Sequence, residues 1–325
     1  MPSPAPRLQP QKFRNPDVTA SGEPRAQVAL WRLETLWINT GSLCNIACAH
    51  CYIESDPRND RLAYFTAEDA GRLYDEIAAL RLGTREIGFT GGEPFMNPDL
   101  TTMASDALDR GFAVLILTNA MQPMQRPRPQ QALARLARKH GSRLVVRVSL
   151  DHYSQALHER ERGTGSWPIT IAGLDWLVGN GVTTAVCGRI AWNEPEEDLR
   201  AGYRRLFAER GWPLDAMDPA QLVLLPEMDE MADVPEITTA CWGILGVDPQ
   251  SVMCARSRMV VRRKGADRPT VLPCTLIPYD PAFEMGATLE ESLSVNGGMF
   301  DHGRVKLNHP HCARFCVLGG GSCSG

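Results

Sequence analysis

T-L-W-I-N-T-G-S-L-C-N-I-A-C-A-H-C-Y, residues 35–52, decides how this chain is read. It opens as a buried strand, T-L-W-I-N-T (35–40), and runs into three cysteines, Cys44, Cys48 and Cys51, within eight residues. In parallel α/β folds, ligands sit beyond the carboxyl ends of the strands. A strand that ends in three thiols therefore delivers them to the place where such folds do chemistry.

Outward from this loop the texture alternates. T-A-E-D-A-G-R-L-Y-D-E-I-A-A-L (66–80) predicts a helix, with Thr66 placed to cap it and Asp69 three residues on. Ala70, Leu73, Ile77 and Leu80 give that helix one apolar stripe. E-I-G-F-T (86–90) is the next strand and 99–110 the next helix. F-A-V-L-I-L-T (112–118) shows no polar alternation, so both its faces are expected to be covered. Helix 130–139, strand 143–150, helix 169–178, strand 182–192, helix 196–209 and strand 222–225 follow. Six such strand–helix steps predict parallel βα units, in a doubly wound sheet or a complete or partial barrel.

Composition narrows the class. At 325 residues and 43% hydrophobic content, one large domain with an appendix is expected. A net charge of −4 gives no push toward nucleic acid or anionic membranes, and Arg262-Arg263-Lys264 reads as a solvated turn. Apolar runs such as 113–117 are of strand length, too short to span a bilayer. The Pro-rich start, M-P-S-P-A-P-R-L-Q-P, lacks the apolar core of a secretory signal, so a cytoplasmic protein is expected. Ten cysteines in that compartment point to metal or reactive thiols rather than disulfides.

Three close thiolates are too few for a closed tetrahedral zinc site. A four-iron cluster normally takes four cysteines; with three, one iron keeps an open position for a substrate or cofactor. The C-x3-C-x2-C spacing also departs from the C-x2-C pair of thioredoxin-like loops and zinc ribbons. Zinc or inert thiols stand as the plainer alternative.

Four further segments fall on successive strand ends. G-G-E-P (91–94) follows the second strand, T-N-A with Asn119 the third, and S-L-D (149–151) ends the fourth. Each alone has an ordinary reading, as a turn or a helix cap. H-E-R-E-R-G-T-G-S-W (158–167) comes next. In this order, the segments resemble the radical S-adenosylmethionine (SAM) superfamily over most of residues 35–192. His50 stands where that family usually has an aromatic residue before the third cysteine.

The resemblance implies a partial (β/α)6, TIM-like barrel over 34–232, preceded by an N-terminal extension over 1–33. It implies that Cys44, Cys48 and Cys51 hold a [4Fe-4S] cluster. Gly91, Gly92 and Glu93 would hold the amino group of SAM, Asn119 would lie beside it, and Ser149 and Asp151 would contact its ribose. Arg189, at the end of the fifth strand, would contact SAM or substrate; Asn193 is a weaker candidate of the same kind. The implied chemistry is reductive cleavage of SAM to methionine and a 5′-deoxyadenosyl radical, which abstracts hydrogen from substrate.

Residues 233–325 carry little periodicity, many glycines and Cys241, Cys254, Cys274, Cys312, Cys316 and Cys323. The span from Cys254 to Cys274 resembles the opening of a SPASM or twitch domain, in which a cysteine pair brackets a β-hairpin. Five cysteines (Cys254, Cys274, Cys312, Cys316 and Cys323) are fewer than a full SPASM pattern, so the resemblance implies one auxiliary [4Fe-4S] cluster. Cys254, Cys274, Cys312 and Cys316 are the first choice of ligands, with Cys323 able to replace one of the last two and Cys241 a buried thiol or, as the alternative, a sixth ligand. His309 and His311 keep a structural zinc site open as an alternative.

The expected function is thus a radical SAM enzyme acting on a peptide or small metabolite, with an auxiliary cluster for electron transfer or substrate ligation. Its electrons would come from a reductant such as flavodoxin or ferredoxin. The alternatives are a non-catalytic Fe–S carrier or scaffold, which has no need of the glycine and S-L-D segments, and a zinc-stabilised binding module. Cys187, amid Val and Ala, is expected to pack the core. No acid, base or hydrogen donor is assigned.

Overall fold

A computed structural model describes residues 7–228 and 231–321. After a two-residue strand, β1 (Gln27–Val28), come six core strands: β2 (Thr35–Asn39), β3 (Glu86–Thr90), β4 (Ala113–Thr118), β5 (Leu144–Ser149), β6 (Thr183–Ile190) and β7 (Leu222–Pro226). Between them lie α1 (Ala67–Leu80), α2 (Leu100–Asp109), α3 (Gln122–Gln125), α4 (Pro127–His140), α5 (Gln155–Arg162), α6 (Ser166–Gly179) and α7 (Glu196–Arg210). The first of these helices starts where its sequence says it should. The Thr66 hydroxyl accepts from the Asp69 N–H at 3.1 Å, a cap worth about 1 kcal/mol. Its stripe of Ala70, Leu73, Tyr74 and Ile77 is buried, and the helix stops at Arg81 in a left-handed turn. The segment 155–162, which carries no predicted helix, is α5.

The six core strands are parallel and lie side by side in chain order, from β7 through β6, β5, β4 and β3 to β2. Each crossover therefore steps in the same direction. That is the winding of a barrel; a doubly wound sheet reverses at a switch point. The sheet does not close, so the barrel is partial.

Strand alternation sorts the side chains. Leu36, Ile38, Ile87, Phe89, Val114 and Ile116 pack in the main core with the helices, while Trp37, Leu115 and Met259 form a second buried cluster. Gly88 makes room for that cluster, since a Cβ there would stand 2.4 Å from the Trp37 ring.

Beyond β7 the chain forms α8 (Cys241–Leu245), a hairpin of β8 (Ser257–Val261) and β9 (Thr270–Leu272), α9 (Leu289–Ser294), and β10 (Phe300–Asp301) with β11 (Arg304–Lys306). The hairpin is not a detached appendix. Strand β8 pairs with β2 in parallel, from Thr35↔Ser257 to Ile38↔Val260, so the hairpin extends the barrel sheet.

Over residues 7–33 the N-terminal extension is tied to later parts of the chain. Strand β1 pairs with β11, and Arg25, 2% exposed, meets Glu236 at 2.6 Å. The Leu8 and Ala26 N–H groups donate to the carbonyls of Met231 and Ile237. Among the described residues, no helix is long and apolar enough to cross a membrane.

Candidate functional site

The carboxyl ends of the core strands surround a cavity of about 160 Å³. Cys44, Cys48 and Cys51 line it, together with Gly91, Gly92, Asn119, Ser149, Asp151 and Arg189. These come from separate loops spread over more than 140 residues of sequence, and the βα winding alone brings them together. Glu93 is the exception and lies behind the wall.

Burial pushes the Cys44 thiol up to about 12 and raises that of Cys48. Thiolates at this depth need a cationic partner, which a bound metal cluster supplies. Polar groups already address the sulfurs. The Asn119 amide donates to Asn45 Oδ1 at 2.9 Å and lies 3.9 Å from Cys44 Sγ, and the Ser55 N–H donates to Cys51 Sγ at 3.3 Å.

The glycine pair has a packing reason within the fold as well. Gly91 takes φ +135°, and a Cβ on Gly92 would lie 2.1 Å from the Leu43 carbonyl oxygen. The G-G-E turn is packed onto the cysteine loop, with the Gly92 N–H donating to Gly41 O and the Glu93 N–H to Leu43 O. The Glu93 carboxylate is satisfied within the protein. It accepts from the Phe95 N–H at 3.1 Å, the Thr118 hydroxyl at 2.8 Å and the Asn119 N–H at 2.9 Å. Burial raises its pKa. In this geometry Glu93 ties three strand-end loops together.

Asp151 likewise has a partner that the sequence reading left unassigned. Arg162, at the end of α5, grips it with Nε and Nη2 at 2.6 and 3.1 Å. Burial alone would push the Asp151 carboxyl up, but the Arg162 and Arg189 guanidiniums outweigh it and hold the group below the usual carboxylate range. Arg189 donates from Nη2 to the His50 carbonyl at 2.6 Å and lies over the Tyr52 ring, 4.3 Å from its centroid. Its Nε, buried and 3.7 Å from Asp151, has no hydrogen-bond partner. An arginine with an unsatisfied guanidinium N–H, in a wall shared with Ser149 and Asn119, suits an anionic or hydroxyl-rich ligand such as SAM, and three free thiols suit an iron–sulfur cluster.

Cys187 packs against the core, where it is expected, and also lines this cavity. Strand register puts it opposite Ser149. Asn193 is exposed, in a left-handed turn outside the cavity wall.

A second, apolar cavity gathers Cys254, Cys274, Cys312 and Cys316. Two of them precede β8 and follow β9, so the hairpin sets their spacing. The other two are four residues apart in a π-helical segment, Cys312–Leu318, whose i→i+5 bonding turns residues four apart toward one side. His311 also lines this cavity. Cys241 does not; its sulfur accepts from the Thr238 N–H at 3.4 Å. Cys323 lies outside the described residues. Burial pushes Cys254 up to about 11 and Arg258, beneath it, down to about 10, so the arginine stays a cation. Zinc needs its ligand atoms about 2.3 Å from one point. Among the described residues no group of three or more His, Cys, Asp or Glu is drawn together for a single ion. Four sulfurs spaced around a cavity wall suit a larger group better.

The radical SAM superfamily model matches residues 38–200. The chain is 30% identical over 164 residues to the GTP 3′,8-cyclase of Rhodococcus opacus (strain B4), covering 43% of this chain and 46% of that one. It is 28% identical over 144 residues to the antilisterial bacteriocin subtilosin biosynthesis protein AlbA of Bacillus subtilis (strain 168), covering 44% and 30%. It is 29% identical over 142 residues to the mycofactocin maturase MftC of Mycobacterium ulcerans (strain Agy99), covering 44% and 36%. It thus spans less than half the length of these curated relatives. Among solved structures, native anSMEcpe with bound AdoMet superposes with a TM-score of 0.58 over 81% of this chain and 80% of that one, at 15% identity. At such identity the likeness is one of fold.

Proposed function

The chain belongs to the radical SAM superfamily, and on that footing we propose that it is a radical SAM enzyme that modifies a peptide. One observation carries the reading. Three cysteines and the carboxyl ends of five further strands open onto one cavity, and Arg189 Nε stands in its wall without a hydrogen-bond acceptor among the described residues. A mere electron carrier has no use for that second half of the site.

Cys44, Cys48 and Cys51 would hold the site-differentiated [4Fe-4S] cluster, and Cys254, Cys274, Cys312 and Cys316 an auxiliary one. When bound, the first cluster and SAM supply a 5′-deoxyadenosyl radical. The chain's own residues do the rest. Asn119 orients Cys44 and Asn45, while Ser149 and Arg189 offer a hydroxyl and a guanidinium to the ribose and the carboxylate of the cofactor. Asp151, neutralised by Arg162, keeps that guanidinium in place. Leu117, Leu225 and Leu276 give the cavity an apolar wall that excludes water. Gly91 and Gly92 bring backbone to its edge, and Glu93 supports the turn from behind.

A peptide substrate is favoured by relatives named as a bacteriocin biosynthesis protein and a maturase. A small metabolite is the second reading, favoured by the relative named as a GTP cyclase. The electron would come from a flavodoxin- or ferredoxin-type reductant.

The test is release of 5′-deoxyadenosine from SAM by the anaerobically reconstituted, dithionite-reduced protein. Release that disappears in a Cys44/Cys48/Cys51→Ala variant supports the reading. No release from a protein that holds its iron would leave the non-catalytic carrier instead.

A further inference from the structure

Arg258 sits on β8, four residues after Cys254, with no exposed surface. Its Nη1 donates to the Cys254 carbonyl at 2.6 Å and to the Ser257 carbonyl at 2.8 Å. Its Nε and Nη2 are buried with no hydrogen-bond partner. Among the described residues, the ionisable groups that face it are Cys254 and Cys274, and no carboxylate is among them.

This is an expensive arrangement. Buried charges are normally paired or bound to metal, and a guanidinium does not escape by losing its proton. A carboxylate would be the ordinary partner, as Glu236 is for the buried Arg25. Here the fold offers two cysteines instead. Neutral thiols do not offset a cation; thiolates do.

We propose that Arg258 is the fixed counter-charge of the second cysteine cavity and raises the reduction potential of the cluster held there. The inference rests on the auxiliary-cluster reading above. A four-iron cluster on four thiolates carries two negative charges when oxidised and three after taking up one electron. Nothing leaves and no bond is made, so the step is pure charging. A permanent positive charge in a low-dielectric setting stabilises the more negative form more, and net charge and hydrogen bonds to sulfur are the levers that set such potentials. Arg258 would thereby help the second cluster to accept an electron. It is a tuning residue and touches no substrate.

The experiment uses the full chain carrying Cys44/Cys48/Cys51→Ala, so that only the second cluster remains, and reads its midpoint by EPR-monitored titration with dithionite. R258Q keeps a donor for the Cys254 carbonyl and removes only the charge; R258K restores a charge. R258Q is expected to keep about four irons and move the midpoint negative by at least tenfold in the reduction equilibrium, about 59 mV for one electron, with R258K close to the parent. If R258Q does not fold, R258M carries the same expectation. An unchanged midpoint at full iron content overturns the proposal, because a purely structural arginine leaves the potential alone. A parent that binds no iron overturns the auxiliary-cluster reading, and this inference with it.

Discussion

The Glu161 carboxylate holds His50 at two points, accepting its backbone N–H at 2.7 Å and lying 3.0 Å from Nδ1. Its own carbonyl accepts the Ala49 N–H at 2.8 Å. The two residues between Cys48 and Cys51 are thus clamped to α5 by one residue, Glu161: Ala49 through its backbone and His50 through its carboxylate, which is 5% exposed. Hydrogen bonds to a charged group contribute about 1.5–3 kcal/mol each. Glu161→Ala is therefore expected to loosen the loop and lower the iron retained at the first site, leaving the second cavity's iron in place. E161Q, which still accepts the His50 N–H, should retain most of it. Iron per chain in the two variants decides whether the clamp matters.

Gly92 tests the same loop from the opposite side. An added methyl would lie 2.1 Å from a backbone oxygen, Leu43 O, which has no flexible end to move. Overpacking of this kind costs about 1–3 kcal/mol. Gly92→Ala should lower the melting temperature and abolish 5′-deoxyadenosine release by displacing the loop that leads into Cys44. A variant that melts and turns over like the parent would show that the turn tolerates separation from the loop.

His158 gives the fold an acid limb. It is fully buried against Trp167, and neither ring nitrogen has a hydrogen-bond partner. Burial, helped by the Arg162 charge, pushes it down to about 4. Unfolded, it titrates near 6.5. Below that pH the unfolded chain takes up a proton that the folded one refuses. The stability contributed by neutral His158 is present above 6.5 and is lost as pH falls toward 4. Between pH 7 and 5 the loss is about 2 kcal/mol at 1.36 kcal/mol per unit. Denaturant melts of H158F should show a correspondingly shallower fall over that interval. Parallel falls in the two proteins would remove His158 as the cause.

Much of this was legible in the sequence, because local rules carry it. The Thr66 cap, the apolar stripe of α1 and the six strand–helix steps need only neighbouring residues. The ordered strand-end segments place most of the site once the strands are known to be parallel. The cavity-facing side of Cys187 is legible too. The residue lies two positions before Arg189 on one strand, so if Arg189 faces the cavity, period-two alternation turns Cys187 the same way. The roles of Glu93 and Asp151 were less accessible. Whether a buried carboxylate meets a ligand or an internal donor depends on Thr118 and Arg162, which reach it only through the tertiary fold. The pairing of β8 with β2 joins residues more than 200 positions apart, and that of β1 with β11 joins residues still more distant; nothing local announces either.

The second cavity makes the last expectation quantitative. With two four-iron clusters, the reconstituted protein should hold about eight irons, falling to about four in Cys44/Cys48/Cys51→Ala and to about four in Cys254/Cys274→Ala. The choice among the distal cysteines is sharper. Cys312 and Cys316 share a wall with the hairpin pair, so Cys316→Ser should cost the second cluster while Cys323→Ser leaves it intact. The reverse result would make Cys323 the fourth ligand and Cys316 a cavity-lining thiol. If the first triple variant instead loses all its iron and keeps about one zinc per chain, the tail is a zinc site. The donors around His311 would then have to close onto a single ion, and the electron-accepting role argued for this cavity would fall while the first cavity stood unchanged.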